Sequence, residues 1–161
     1  MKILALDPGQ TTGYCVLHEP CDVFETGEFI LNRGGMLKLT RLIDEAELVV
    51  YEDFRLYANK SKAMIGNDFP SSQVIGMIKY IEACVVCGGR PTFTQMASQR
   101  LIVPELLIQK VYPDYERVSD HINDAVEHAL AFSLFSRGNE SHPTVQKIFK
   151  EVLEKKCTQE E

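Results

Sequence analysis

Three acidic residues of this sequence, Asp7, Glu52 and Asp124, each stand beside an apolar stretch, where a fold can gather distant carboxylates into one site. Carboxylates brought together repel one another unless positive charge lies between them. Mg²⁺ or Mn²⁺ is the simplest such partner, because hard divalent cations take oxygen ligands. Two ions held this way activate a water and stabilise a leaving oxygen, which is the chemistry of phosphodiester hydrolysis. His121 lies three residues before Asp124 and is therefore its neighbour on a helix; its imidazole, titrating near neutral pH, can ligate metal or move a proton. His128 borders the same strip and reads as a partly buried, satisfied histidine. Simpler roles stay open: Asp7 as the opener of an Asx-type turn, Glu52 as an ordinary strand-end acid, and Asp120 as a first-turn acid favoured by the helix macrodipole.

The elements that must position these groups follow from hydrophobic patterning. Residues 2–6 form a nearly continuous apolar run that ends at Asp7-Pro8-Gly9, a buried strand followed by a turn. Segments 14–17 and 23–31 are rich in β-formers and separated by Pro20, which predicts strands two and three of an antiparallel meander. Gly34-Gly35 breaks the pattern before a helical stretch carrying Leu37, Leu39, Leu42, Ile43 and Ala46. The run 48–51 predicts a fourth strand that delivers Glu52. A long loop is expected over 53–69. Ser71-Ser72 would cap a helix that Gly88-Gly89 ends, and 91–95 would be a fifth strand. A short helix is expected near 97–102, cut by Pro104, with an irregular connection at 112–114. Ser119 is the N-cap expected for a helix running to residue 135, with Ile122, Ala125, Val126, Ala129 and Ser133 on its core side. A last amphipathic helix is expected at about 143–156.

A chain of 161 residues with 45% hydrophobic and 25% charged residues is the size and mixture of one globular domain, here taken as 1–161. It shows no apolar run near the roughly 20 residues that cross a bilayer, and its opening lacks the pattern of a secretory signal, so no membrane association and a cytoplasmic location are expected. Five cysteines without framework spacing point to reduced thiols. Cys84 and Cys87 form a lone CxxC, which lacks the second ligand pair of a zinc site. The net charge of −6 runs against a nucleic-acid partner, since phosphate is usually met by a basic surface, although bound divalent metal would offset clustered acids locally.

The opening ILALDPGQTTGYCV resembles that of RuvC-type Holliday junction resolvases, which belong to the ribonuclease H-like superfamily. VVYEDF is similar to the second acidic strand of that family, SQVIGMIKYI to its Gly-containing helix, TFTQMASQR to its next strand and turn, and DHINDAVEHALAF to its terminal catalytic helix. The likeness spans residues 2–135. It implies an α/β fold with a central five-stranded mixed sheet, three antiparallel strands followed by parallel ones, flanked by helices. It implies that Asp7, Glu52 and Asp124 bind metal and that His121 stands in for the remaining acid, with Asp120 one residue off the family spacing. Phe54 becomes the candidate for an aromatic wedge, and Arg55, Lys60, Lys62, Arg100 and Lys110 the candidate phosphate contacts. The variant loop over 57–69 and the compact length look like the divergent members encoded by phages. The implied activity is a Mg²⁺- or Mn²⁺-dependent endonuclease with two ions, acting on branched DNA as a homodimer whose interface lies near 72–87. An RNA-processing nuclease of the same fold and a non-catalytic nucleic-acid-binding adaptor are the alternatives.

Overall fold

The computed structural model describes residues 1–18, 23–54, 68–84, 91–101 and 103–133. Five strands form one sheet: β1 (Lys2–Asp7), β2 (Thr11–His18), β3 (Val23–Ile30), β4 (Leu48–Glu52) and β5 (Thr92–Gln95). Their order is β3-β2-β1-β4-β5. The β1–β2 and β2–β3 pairs are antiparallel, whereas β1–β4 and β4–β5 are parallel. This is the expected α/β architecture of three antiparallel strands followed by parallel ones.

Among the described residues five helices accompany the sheet: α1 (Arg33–Glu45), α2 (Pro70–Ala83), α3 (Ala97–Arg100), α4 (Glu105–Val111) and α5 (Asp120–Ala131). Side chains alternate across the central strands, so each face builds its own core. Ile3, Ala5, Leu48 and Val50 meet Leu107, Ala125, Val126 and Ala129 from α4 and α5. Leu4, Leu6, Val49 and Tyr51 meet Leu39, Ile43, Val74 and Ile78 from α1 and α2. Each aliphatic side chain buried this way contributes about 1.5–3 kcal/mol. Together they fix which face every strand-end residue must take.

Several local expectations change. Gly34 and Gly35 do not break the chain but form the first turn of α1, because the Asn32 side chain accepts a hydrogen bond from the Gly35 N–H at 2.9 Å. The second helix starts at Pro70 with no side-chain cap, so Ser71 and Ser72 lie inside its first turn; proline is favoured there because its missing N–H has no partner to lose. The short helix expected before Pro104 is present as α3 and ends at Arg100, but a further helix, α4, follows Pro104 and is absent from the sequence expectation. The strands are extended or trimmed by one to three residues. The helix expected at about 143–156 lies outside the described residues.

The helix α5 lies against β1 and β2 because Gly13 has no side chain. A Cβ on Gly13 would overlap the backbone carbonyl of His121 and lie 2.9 Å from the Ile122 nitrogen. Neither is a flexible group that could move aside. Gly76 in α2 is the opposite case, with nothing within 4 Å of its Cβ position. Gly13→Ala should therefore cost about 2–3 kcal/mol by forcing α5 off the sheet. Gly76→Ala should be neutral or stabilise the fold by up to about 1 kcal/mol through helix propensity. Urea unfolding midpoints at matched m-values measure both, and equal effects would contradict the close approach at Gly13.

Candidate active site

The strand alternation that builds the two cores also aims the site. Ile3 and Ala5 face α5, and two residues farther on so does Asp7; Leu48 and Val50 face α5, and so does Glu52. Phe93 contacts Phe132 just beyond α5, at 5.1 Å between ring centroids, and Gln95 takes the same side. In register, Leu6 pairs with Tyr51 and Glu52 with Gln95. Asp7, Glu52 and Gln95 thus form a row across the carboxyl ends of three parallel neighbours, under one helix. Such strand ends are where open α/β sheets bind ligands.

The helix is set by its cap. Ser119 Oγ accepts from the Ile122 N–H at 3.3 Å and donates to Glu28 Oε2 at 2.7 Å, tying the start of α5 to β3. Ile122, Ala125, Val126, Ala129 and Ser133 are buried, as their spacing predicted. One helical strip then runs past the strand ends, carrying His121, Asp124, Glu127 and His128. Nδ1 of His121 lies 2.7 Å from Asp7 Oδ2. Asp120, in the first turn, is exposed and makes no part of this contact.

His128 is fully buried rather than partly so. Its Nε2 lies 2.9 Å from Glu52 Oε2 and its Nδ1 lies 2.8 Å from the Gln95 amide. One orientation of that amide satisfies every group: its oxygen accepts from the Phe132 N–H, and its nitrogen donates to the His128 carbonyl and to Nδ1. The ring hydrogen then sits on Nε2 and is donated to Glu52. Gln95 and His128 together fix where the Glu52 carboxylate points.

Arg100, at the end of α3, reaches the other acids. Its Nη1 donates to Asp124 Oδ1 and lies 3.3 Å from Glu127 Oε2, while its Nε lies 3.9 Å from Glu52 Oε2. Arg117 holds the second oxygen of Glu127 at 3.4 Å. The electrostatics are those of a crowded acidic site. Burial pushes the Asp7 carboxyl above its ordinary value, the His121 hydrogen bond pulls it back, and the charge on Glu52 pushes it up again. Burial also raises Asp124; Arg100 opposes this, and Asp7, Glu127 and Glu52 reinforce it.

Oxygen donors on three converging elements, with an imidazole beside them, suit a hard divalent cation. Among the described residues no three potential ligands stand in a finished coordination geometry, since each acid is turned toward His121, His128 or Arg100. The structure thus brings together Asp7, Glu52, His121, Asp124 and Arg100. Phe54 lies half-buried against Phe69, with ring centroids 5.8 Å apart. Arg55, Lys60, Lys62 and Cys87 lie outside the described residues, as does the Lys110 side chain. Sequence reasoning missed Gln95 and Glu127. The first carries a signal, ending a parallel strand as Asp7 and Glu52 do; the second lies one helical turn past Asp124.

No family model and no curated protein matches the sequence. Among solved structures, the chain is similar to Fowlpox virus resolvase in complex with its substrate Holliday junction DNA. That likeness has a TM-score of 0.53 at 11% identity and covers 82% of this chain and 96% of that one. A second crystal structure of the Fowlpox virus Holliday junction resolvase gives 0.53 at 12% identity, covering 82% and 97%. The chain shares the fold of these resolvases over nearly their whole length.

The raised carboxyl of Asp7 has a measurable sign. Below the ordinary value of 3.8 the group is protonated in both folded and unfolded chains and contributes nothing. As pH rises from that ordinary value toward the elevated folded one, the unfolded chain loses the proton first and stability falls; above the folded value the loss is constant. Asp7→Asn should therefore melt higher than the metal-free wild type at about pH 7, with the difference vanishing near pH 3. Calorimetry at the two pH values measures this; a variant less stable at neutral pH would show that the His121 contact outweighs burial.

Proposed function

We propose that this protein is a metal-dependent endonuclease that hydrolyses phosphodiesters in branched DNA, with Holliday junctions as the substrate class. The observation that carries the reading is the meeting of Asp7, Glu52 and Asp124 at one sheet edge, on a fold shared with a Holliday junction resolvase. The site lies at open strand ends rather than inside a closed cavity, which suits a bulky duplex substrate. Among the described residues no helix is long and apolar enough to cross a membrane.

Asp7, Glu52 and Asp124 would hold Mg²⁺ or Mn²⁺, two ions in our reading, with His121 completing the set. Bound there, such ions polarise the phosphate and lower the pKa of an attacking water. His121 is exposed and oriented through Nδ1 by Asp7, so it is placed to take a proton from that water or to hold Asp7 in position. His128 and Gln95 keep Glu52 aimed at the site. Phe54, at the end of the strand that delivers Glu52, is the side chain we assign to contact with the opened junction. Arg55, Lys60 and Lys62 follow it in sequence and are assigned to phosphates, as is Arg100 when substrate is present. We place a homodimer contact along α2, which gives two equivalent sites for two strands.

Incubation of a labelled four-way junction with Mg²⁺ or Mn²⁺ tests the reading. The wild type should cut, whereas Asp7→Asn and Glu52→Gln should lose about a hundredfold or more. Equal cutting by all three would remove the site assignment. Cutting of structured RNA but not of the junction would transfer the mechanism to an RNA-processing nuclease. Junction binding with no cutting by any protein would make the chain an adaptor.

A further inference from the structure

We infer that Arg100 is the internal counter-ion of the metal-free site and must withdraw before divalent cations can bind. The inference rests on the metal-dependent reading above. The guanidinium is surrounded by carboxylates: Asp124 accepts from Nη1, Glu127 lies 3.3 Å from Nη1, and Glu52 lies 3.9 Å from Nε. Two of these acids, Glu52 and Asp124, are candidate ligands. An arginine among them does electrostatically what a cation would do, because each relieves the mutual repulsion of the acids. Both cannot occupy one small space, since a guanidinium would then face a dication with few carboxylates left to separate them.

Two features mark the arginine as a provisional occupant. Its Nε is buried and has no hydrogen-bond partner, whereas an arginine committed to a structural role would pair that donor. Charge holds it there, not a completed set of bonds. It is also carried by α3, a four-residue helix with no buried residue, flanked by exposed Met96 and Leu101. The helix packs on α5 without burying a side chain of its own, so a small shift of it disturbs little of the core.

The second arginine supports the same division. Glu127 is held from its other oxygen by Arg117, so it keeps a cation when Arg100 leaves. Asp124 and Glu52 do not share that second cation and become available to metal. Glu127 therefore belongs to the arginine's resting place rather than to the ligand set.

Mn²⁺ binding, followed by electron paramagnetic resonance of the free ion, tests this without reference to cleavage. Arg100→Gln should bind Mn²⁺ about tenfold more tightly than wild type, and Arg100→Lys, which keeps a charge, should lie near wild type. The metal-free Arg100→Gln protein should melt lower than wild type, and its melting temperature should rise more on saturation with Mn²⁺. Circular dichroism establishes that each variant is folded before titration. If wild type binds Mn²⁺ and folded Arg100→Gln binds with equal or weaker affinity, the counter-ion role is overturned while the metal-dependent reading stands. If neither protein binds Mn²⁺, both fall.

Discussion

The site depends on one steric fact, the absence of a side chain at Gly13. That residue is the register partner of Asp7 across the β1–β2 pair. Its bare backbone lets the first turn of α5 come down onto the sheet, with the His121 carbonyl over the space a Cβ would fill. From this one contact follow the reach of His121 to Asp7 and, a turn later, the position of Asp124. An alanine there would displace a rigid helix, and a helix displaced at its start carries every later residue with it. Packed interiors transmit such shifts rather than absorb them.

Given that contact, the chemistry of the site is set by how its acids are neutralised. Asp7 and Glu52 each face an imidazole, whereas Asp124 and Glu127 share a guanidinium. The difference matters. His128 is buried and locked between Gln95 and Glu52, so it orients its acid permanently. Arg100 carries a full charge, is a quarter exposed at its side chain, and leaves a buried donor unpaired. Only the second kind of partner can be exchanged for another cation. Positions held by buried hydrogen bonds and charges held by an exchangeable ion pair divide the work of keeping repelling acids in one place.

Much of this was legible in the sequence because it depends on short-range periodicity. The apolar run before Asp7, the run before Glu52, the Ser119 cap and the core stripe of α5 each predict an element, and each element is present. The three-residue spacing of His121 and Asp124, which the resemblance favours over Asp120, puts both on the strip that passes the strand ends, and His121 is the residue found beside Asp7. What failed was local chemistry that depends on tertiary partners. Gly34-Gly35 reads as a break until Asn32 is seen capping the turn, and the helix that begins after Pro104 has no local signal of its own. Gln95 carried a signal that went unread, as the end of a parallel strand, whereas Glu127 and the turn of Arg100 toward the acids were not legible. No local pattern says that an arginine will prefer its own protein's carboxylates to a phosphate in solvent.

The acidic net charge, which at first weighs against a nucleic-acid partner, takes a different meaning here. Four carboxylates stand at one sheet edge, and burial raises two of them against ionisation. A fold selected only for stability would replace such a group with apolar residues, since buried ion pairs seldom exceed the cost of desolvating them. Retaining the acids, together with two histidines and an arginine to contain them, makes sense when the negative charge is itself the working part. The acids need a cation among them, and in this structure Arg100 of α3 supplies it. On the proposed metal-dependent reading, a negative overall charge would reflect the acids gathered at the site rather than the affinity of the surface for phosphate.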